Sequence, residues 1–174
     1  MKRFILVIFL SLFVLGLSKG VEKKMKVYSH SFKEGDFIPT QYTCDGFDIS
    51  PHISWNKVEN AKSYAVIMDD PDAPIGTFTH WIVYDIPSNV LELKENFPKK
   101  SVVGNIKQGQ NDFGKIGYGG PCPPRVKSHR YFFKVFALDV ESLGLPAGLS
   151  SEEVERFINK HTISSGFTYG LYKR

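Results

Sequence analysis

Residues 131–138 read Tyr131-Phe132-Phe133-Lys134-Val135-Phe136-Ala137-Leu138, an aromatic and β-branched run interrupted by one lysine. Such side chains fit a pleated surface better than a helix, so the run is read as a strand. Only Lys134 is polar, which departs from the strict alternation of a half-wet strand. Both faces are therefore expected to be covered, one more completely than the other, and the strand is placed centrally in its sheet. Working outward, the same criteria mark Lys26 to Phe32, His52 to Trp55, Tyr64 to Met68, Thr79 to Asp85, Ser101 to Ile106 and Phe167 to Tyr172 as further strands. All are short and punctuated by turn residues, so the expected fold class is mainly β and predominantly antiparallel.

Helical signals concentrate at Ser150 to His161. Ser150 is placed to cap, Glu153 to close a capping box, and Leu149 with Val154 to form a hydrophobic staple. Val154, Phe157, Ile158 and His161 recur on one face, so His161 is read as a residue at the core margin and not as a ligand. Pro146 and Gly148 keep the chain from entering the helix earlier.

The chain has 174 residues, 42% of them hydrophobic and 23% charged, which suits one loop-rich globular domain and excludes disorder over most of its length. Lys2 and Arg3 precede an apolar run from Phe4 to Leu17, and Ser18 and Gly20 frame a cleavage site before Val21. Those are the three parts of a signal peptide. The run is too short for a membrane-spanning helix, which takes about 20 residues, so no permanent membrane anchor is expected. Residues 1–20 are assigned to export and residues 21–174 to the domain, with a periplasmic, cell-surface or extracellular destination. Cleavage removes Lys2, Arg3 and Lys19, three of the four net positive charges. No basic stripe with interleaved aromatics remains, so nucleic acid is not an expected partner.

Cys44 and Cys122 both survive cleavage. An oxidising compartment would permit a disulfide between them, and spacing alone leaves two separate thiols as the alternative.

Three polar blocks carry the candidate chemistry. Asp69-Asp70-Pro71-Asp72-Ala73-Pro74 follows an apolar strand, and its prolines hold the carboxyl groups in fixed directions; an Asx-rich turn explains it equally well. Gly117-Tyr118-Gly119-Gly120-Pro121-Cys122-Pro123-Pro124 offers close backbone approach and a rigid wall, without the Lys and Ser/Thr of a phosphate-binding P-loop. His129 and Tyr131 lie two apart and share a face in an extended segment, while Arg130 faces the other way and can brace an acidic loop. With His80, they supply donors for an anionic oxygen, although hydrogen bonding at a sheet edge accounts for them too. No zinc-ligand spacing and no GxSxG elbow is present, so neither a metal nor a serine nucleophile is assigned.

Four ordered blocks together resemble the phosphatidylethanolamine-binding protein family, also called Raf kinase inhibitor-like proteins, in its bacterial and archaeal branch. They are Tyr42-Thr43-Cys44-Asp45-Gly46 with Ser50-Pro51 and Trp55; Asp70-Pro71-Asp72-Ala73-Pro74; Thr79-His80-Trp81; and the Gly117–Pro124 loop with His129-Arg130-Tyr131. The resemblance implies a β-sandwich with a large antiparallel sheet, a smaller sheet and short peripheral helices. It also implies an anion pocket carried here by Asp70, His80, His129 and Tyr131, with Asp72 and Gly120 near its mouth. His52 departs from the family pattern and is read as an exposed strand residue. The expected function is an exported, non-enzymatic binding protein for phosphate or a phosphorylated headgroup, with no cofactor. Modulation of a protease or another extracellular protein is the alternative, phosphate-ester hydrolysis is a lesser one, and a homodimer is compatible with the sequence.

Overall fold

A computed structural model describes residues 25–174; the export segment read at residues 1–20 lies outside them. In chain order the strands are β1 (Val27–Tyr28), β2 (Ile53–Trp55), β3 (Ser63–Asp70), β4 (Phe78–Pro87), β5 (Glu92–Leu93), β6 (Val102–Val103), β7 (Ile106–Gln108), β8 (His129–Leu138) and β9 (Thr162–Tyr172). One α-helix, α1 (Ser151–His161), precedes β9, and a 3-10 turn spans Thr40–Tyr42. The strands make a small sheet in the order β1-β2-β5 and a large one in the order β6-β7-β4-β3-β8-β9, with every named pairing antiparallel. This is the mainly-β sandwich that the sequence implied, its helical part among the described residues being α1 and the 3-10 turn at its periphery.

The apolar content of β3, β4 and β8 follows from coverage of both faces. Tyr64, Val66 and Met68 of β3, Trp81 and Val83 of β4, and Tyr131, Phe133 and Val135 of β8 enter the core shared with Ile53, Trp55 and Leu93 of the small sheet. Ala65, Ile67, Ile82 and Tyr84 face the other way and pack against Val154 and Ile158 of α1. Truncating a fully buried aromatic such as Trp81 or Phe133 to alanine would cost about 3–5 kcal/mol. Lys134, as read, lies on the less completely covered face, where its Nζ reaches Asp69 Oδ2 at 2.5 Å.

Helix α1 starts as read: Ser150 caps Glu153, and the Glu153 carboxylate accepts the Ser150 N–H. His161 in the last turn donates from Nδ1 to Asp139 Oδ1 at 2.9 Å, away from the cavity described below. Three boundaries differ from the reading. The strand expected at Ser101–Ile106 is a hairpin of β6 and β7, because Gly104, with φ of 60°, turns the chain back. The strand expected at Lys26–Phe32 ends at Tyr28, where Ser29 Oγ donates to the His52 carbonyl and draws the chain out of the ladder. Asp69 and Asp70 belong to the end of β3 and not to a loop.

Candidate functional site

The ends of β3, β4 and β8 lie side by side in the large sheet, so Asp70, His80, His129 and Tyr131 meet although they come from three strands. They line one cavity of about 240 Å³. How His80 reaches it depends on a bulge. Pairing of β3 with β4 passes from Met68↔Trp81 to Asp69↔Thr79, leaving His80 as an extra residue. Simple alternation would put His80 with Ile82 and Tyr84 on the helix side. The extra residue re-aims it toward the inner face, where its ring meets Tyr131 edge-on with centroids 5.2 Å apart.

His129 Nδ1 donates to Asp70 Oδ2 at 2.7 Å, and both side chains are almost wholly buried. The other Asp70 oxygen accepts the Asp72 N–H at 2.8 Å, so the Asx turn and the site share one carboxylate. A carboxylate can only accept, which fixes a proton on His129 Nδ1 and leaves Nε2 as the ring's remaining polar atom. His80 is fixed similarly: its Nδ1 donates to the Gly119 carbonyl at 2.8 Å. Phe78 and Phe113 flank that ring. Burial holds the His80 pKa below the usual imidazole range, against the opposing pull of the Gly119 carbonyl and the Asp70 carboxylate.

Tyr131 completes the polar floor. Its side chain is fully buried, yet its hydroxyl has no hydrogen-bond partner among the described residues. Burial and then the nearby Asp70 carboxylate push its pKa well up, so the phenol stays protonated; Asp70 is near enough to influence it, but the hydroxyl makes no hydrogen bond of ordinary geometry. Leaving such a group unmatched costs about 1–3 kcal/mol.

Two residues expected near the mouth do not line this cavity. Asp72 is held by Arg130, whose Nε and Nη2 donate to its two oxygens at 2.9 and 2.7 Å, the bracing expected of that arginine. The pair holds the Asp72 carboxyl down at about 2. Gly120 makes its close approach to protein and not to the cavity: a Cβ there would sit 2.5 Å from the Tyr42 carbonyl oxygen and 2.8 Å from Thr43 Cα. Cys44 and Cys122 are disulfide-bonded, with Cα atoms 5.4 Å apart, and the bond ties the loop near Thr43 to the wall at Cys122-Pro123-Pro124.

Residues 28–173 match the sequence model of the phosphatidylethanolamine-binding protein family. The chain belongs to that family. Among relatives of this phosphatidylethanolamine-binding protein family member, a UPF0098 protein of Aquifex aeolicus is 64% identical over 152 residues, covering 86% of this chain and 89% of the relative. A UPF0098 protein of Pyrococcus horikoshii is 46% identical over 182 residues, covering all of this chain and 91% of the relative. In three dimensions, the Escherichia coli protein YbcL, described as a new member of the mammalian family, superposes with a TM-score of 0.81 at 33% identity over 87% of this chain and 99% of its own. A phosphatidylethanolamine-binding protein homologue from Chlamydia trachomatis gives a TM-score of 0.78 at 36% identity, over 87% and 98% of the two chains.

In this member of the phosphatidylethanolamine-binding protein family, sequence reasoning missed the aromatic walls. Phe78 precedes the Thr79-His80 block and was open to notice; Phe113 sits in a turn with no local signal of its role. His52 is not the exposed residue expected. It is only 9% exposed, accepts the His30 N–H at Nδ1 and donates from Nε2 to Glu92, beside a larger groove of about 780 Å³ along the small sheet. That groove gathers no comparable set of buried, convergent polar groups, which is why the smaller cavity is taken as the site.

Proposed function

We propose that this chain is an exported binding protein whose cavity takes a small anionic group, a phosphate or a phosphorylated headgroup. The observation that carries this is the Tyr131 hydroxyl, buried and without an acceptor beside two oriented imidazoles. A ligand oxygen at that place would relieve the unmatched donor, and the His129–Asp70 pair would hold its ring still for the same oxygens. Membership in a family named for binding, and a floor with no assigned nucleophile, support binding over catalysis. Export is supported by the apolar N-terminal run and its small-residue boundary, and the disulfide agrees with an oxidising compartment.

The walls of the cavity are apolar, including Phe78, Phe113, Pro123 and Pro124, and Ile75 projects from its edge 87% exposed. They suit a ligand with a carbon body behind its anionic end. Exposed Ile75 and Val126 also keep a protein partner in view as the second reading. Calorimetric titration with phosphoethanolamine, inorganic phosphate and neutral ethanolamine tests the first. Saturable heats for the two phosphates alone are expected, and equal, negligible heats for all three would remove the proposal.

A further inference from the structure

We infer that the groove along the small sheet is a second binding site, which takes a basic peptide segment through a backbone carbonyl, an apolar side chain and the cation of a lysine or arginine. The groove shares no lining residue with the cavity at the ends of β3, β4 and β8, and the inference does not depend on the anion reading.

The groove follows from the unequal width of the two sheets. Three strands face six, so part of the inner face of the large sheet is roofed by the chain around β5 and not by a strand. Phe97, just after β5, packs on Trp81 of β4. That roof is loose. Val90, Leu91, Phe97 and Ile106 pack against the core but stay only partly buried, and they give the groove its apolar lining.

Trp55 is the residue that points to a ligand. It lines the groove, is 2% exposed, and its Nε1–H has no acceptor among the described residues. An indole nitrogen only donates, so no change of tautomer relieves it. The chain's other tryptophan shows the ordinary arrangement: Trp81 Nε1 donates to Gln108 Oε1 at 2.7 Å. A carbonyl oxygen entering the groove at Trp55 would supply the acceptor that the fold does not.

The rim sets the charge of that ligand. Glu92 and Glu95 line it, against Lys94 as the sole lysine or arginine. Each carboxylate has one oxygen engaged, Glu92 by His52 Nε2 at 3.1 Å and Glu95 by the Tyr42 hydroxyl, and the second oxygen of each bonds to no described residue. His52 offers no further donor, because its Nδ1 accepts the His30 N–H. The rim therefore favours a cation and disfavours an anion, the reverse of the cavity. An amide alone would answer Trp55, and an alkylamine alone would answer the carboxylates. A basic peptide carries both groups on one apolar frame.

The experiment follows the indole N–H signals of Trp55 and Trp81 by proton–nitrogen correlation NMR of the folded, disulfide-intact protein. The titrants are acetyl-leucyl-lysine amide, acetyl-leucyl-glutamate amide and hexylamine, each to about 10 mM. The lysine peptide should move the Trp55 signal downfield saturably, leave Trp81 in place, and do so equally in excess phosphoethanolamine. The glutamate peptide should bind at least about threefold more weakly, and hexylamine should give no downfield shift. The exposed double variant Glu92→Gln, Glu95→Gln keeps an acceptor for His52 and Tyr42, and should weaken the lysine peptide about three- to fivefold, as expected for solvent-screened ion pairs. A Trp55 signal unmoved by the lysine peptide, equal affinity for the two peptides, or a shift abolished by phosphoethanolamine overturns the inference. The anion cavity is judged separately, by the phosphate titrations.

Discussion

His129 and Asp70, 59 residues apart in sequence, form a buried hydrogen bond of 2.7 Å at the junction of β8 and β3. The pair ties the two strands together at the end where the cavity opens, and it sets which nitrogen of His129 is left for a ligand. Hydrogen bonds to a charged partner contribute about 1.5–3 kcal/mol, and removing one side strands the other without water. Replacing Asp70 by Ala should therefore lower the unfolding free energy in urea by about 3 kcal/mol. Asp70→Asn, which keeps an acceptor, should lose about half as much. A loss below about 0.5 kcal/mol for the alanine variant would contradict a structural role for the pair.

Tyr131→Phe separates stability from binding. The hydroxyl is unmatched in the ligand-free protein, so its removal should leave the unfolding midpoint unchanged or raise it, by up to about 1 kcal/mol. Affinity for phosphoethanolamine should fall roughly tenfold in the same variant. Destabilisation with unaltered affinity would show that the hydroxyl serves the fold and not a ligand.

The disulfide links positions 78 residues apart, and closing a loop of that length stabilises by roughly 4 kcal/mol in the chain-entropy account. A Cys44→Ser, Cys122→Ser double variant should lose a large part of this, read as a lowered urea midpoint. Because Cys122 and its neighbours Pro123 and Pro124 form a wall of the cavity, ligand affinity should also drop. A midpoint matching that of the unmodified protein would remove the disulfide as a source of stability.

Asp72 gives a pH signature. Its folded pKa of about 2 lies below the unfolded value near 3.8, so its contribution is fully present above about pH 4 and disappears as pH falls toward 2. Arg130 is half exposed, and water screens the pair, so the effect is small. The stability difference between the wild type and Asp72→Asn should shrink across that window. A difference that is constant from pH 5 to 2 would exclude the pairing as its cause.

The strongly apolar strands announced the fold. The Tyr131–Leu138 run, Tyr64–Met68 and the face of α1 were legible because each buries whole side chains against another layer, and burial writes itself into composition. The small sheet was legible at His52–Trp55 and, with its end overrun, at Lys26–Phe32. Two-residue strands such as Glu92–Leu93 are held by their neighbours' hydrogen bonds and carry no periodicity of their own. The first part of β9, Thr162 to Ser165, is polar apart from Ile163 and half exposed; its pairing with β8 makes it a strand.

At the site, the resemblance supplied Asp70, His80, His129 and Tyr131, and the spacing of His129 and Tyr131 correctly placed both on one face. Alternation alone could not orient His80, because a bulge is a property of two strands and is invisible in either. Gly120 was read for the right physical reason, close approach, with the wrong neighbour: the nearest atoms belong to Tyr42 and Thr43, far away in sequence. Phe113 reaches the cavity by the path of a loop, which local sequence does not encode.

The extra residue in β4 acts as a parity switch. Side-chain direction along a strand depends on whether the count of residues is odd or even, and one unpaired position exchanges the faces of everything before it while leaving everything after it in place. The direction of the His80 ring is therefore stored in chain length and not in the shape of its neighbours. Substitutions around the cavity tune that ring, whereas an insertion or deletion in β4 would turn it over, so length in this strand, more than identity, sets which way the ring faces.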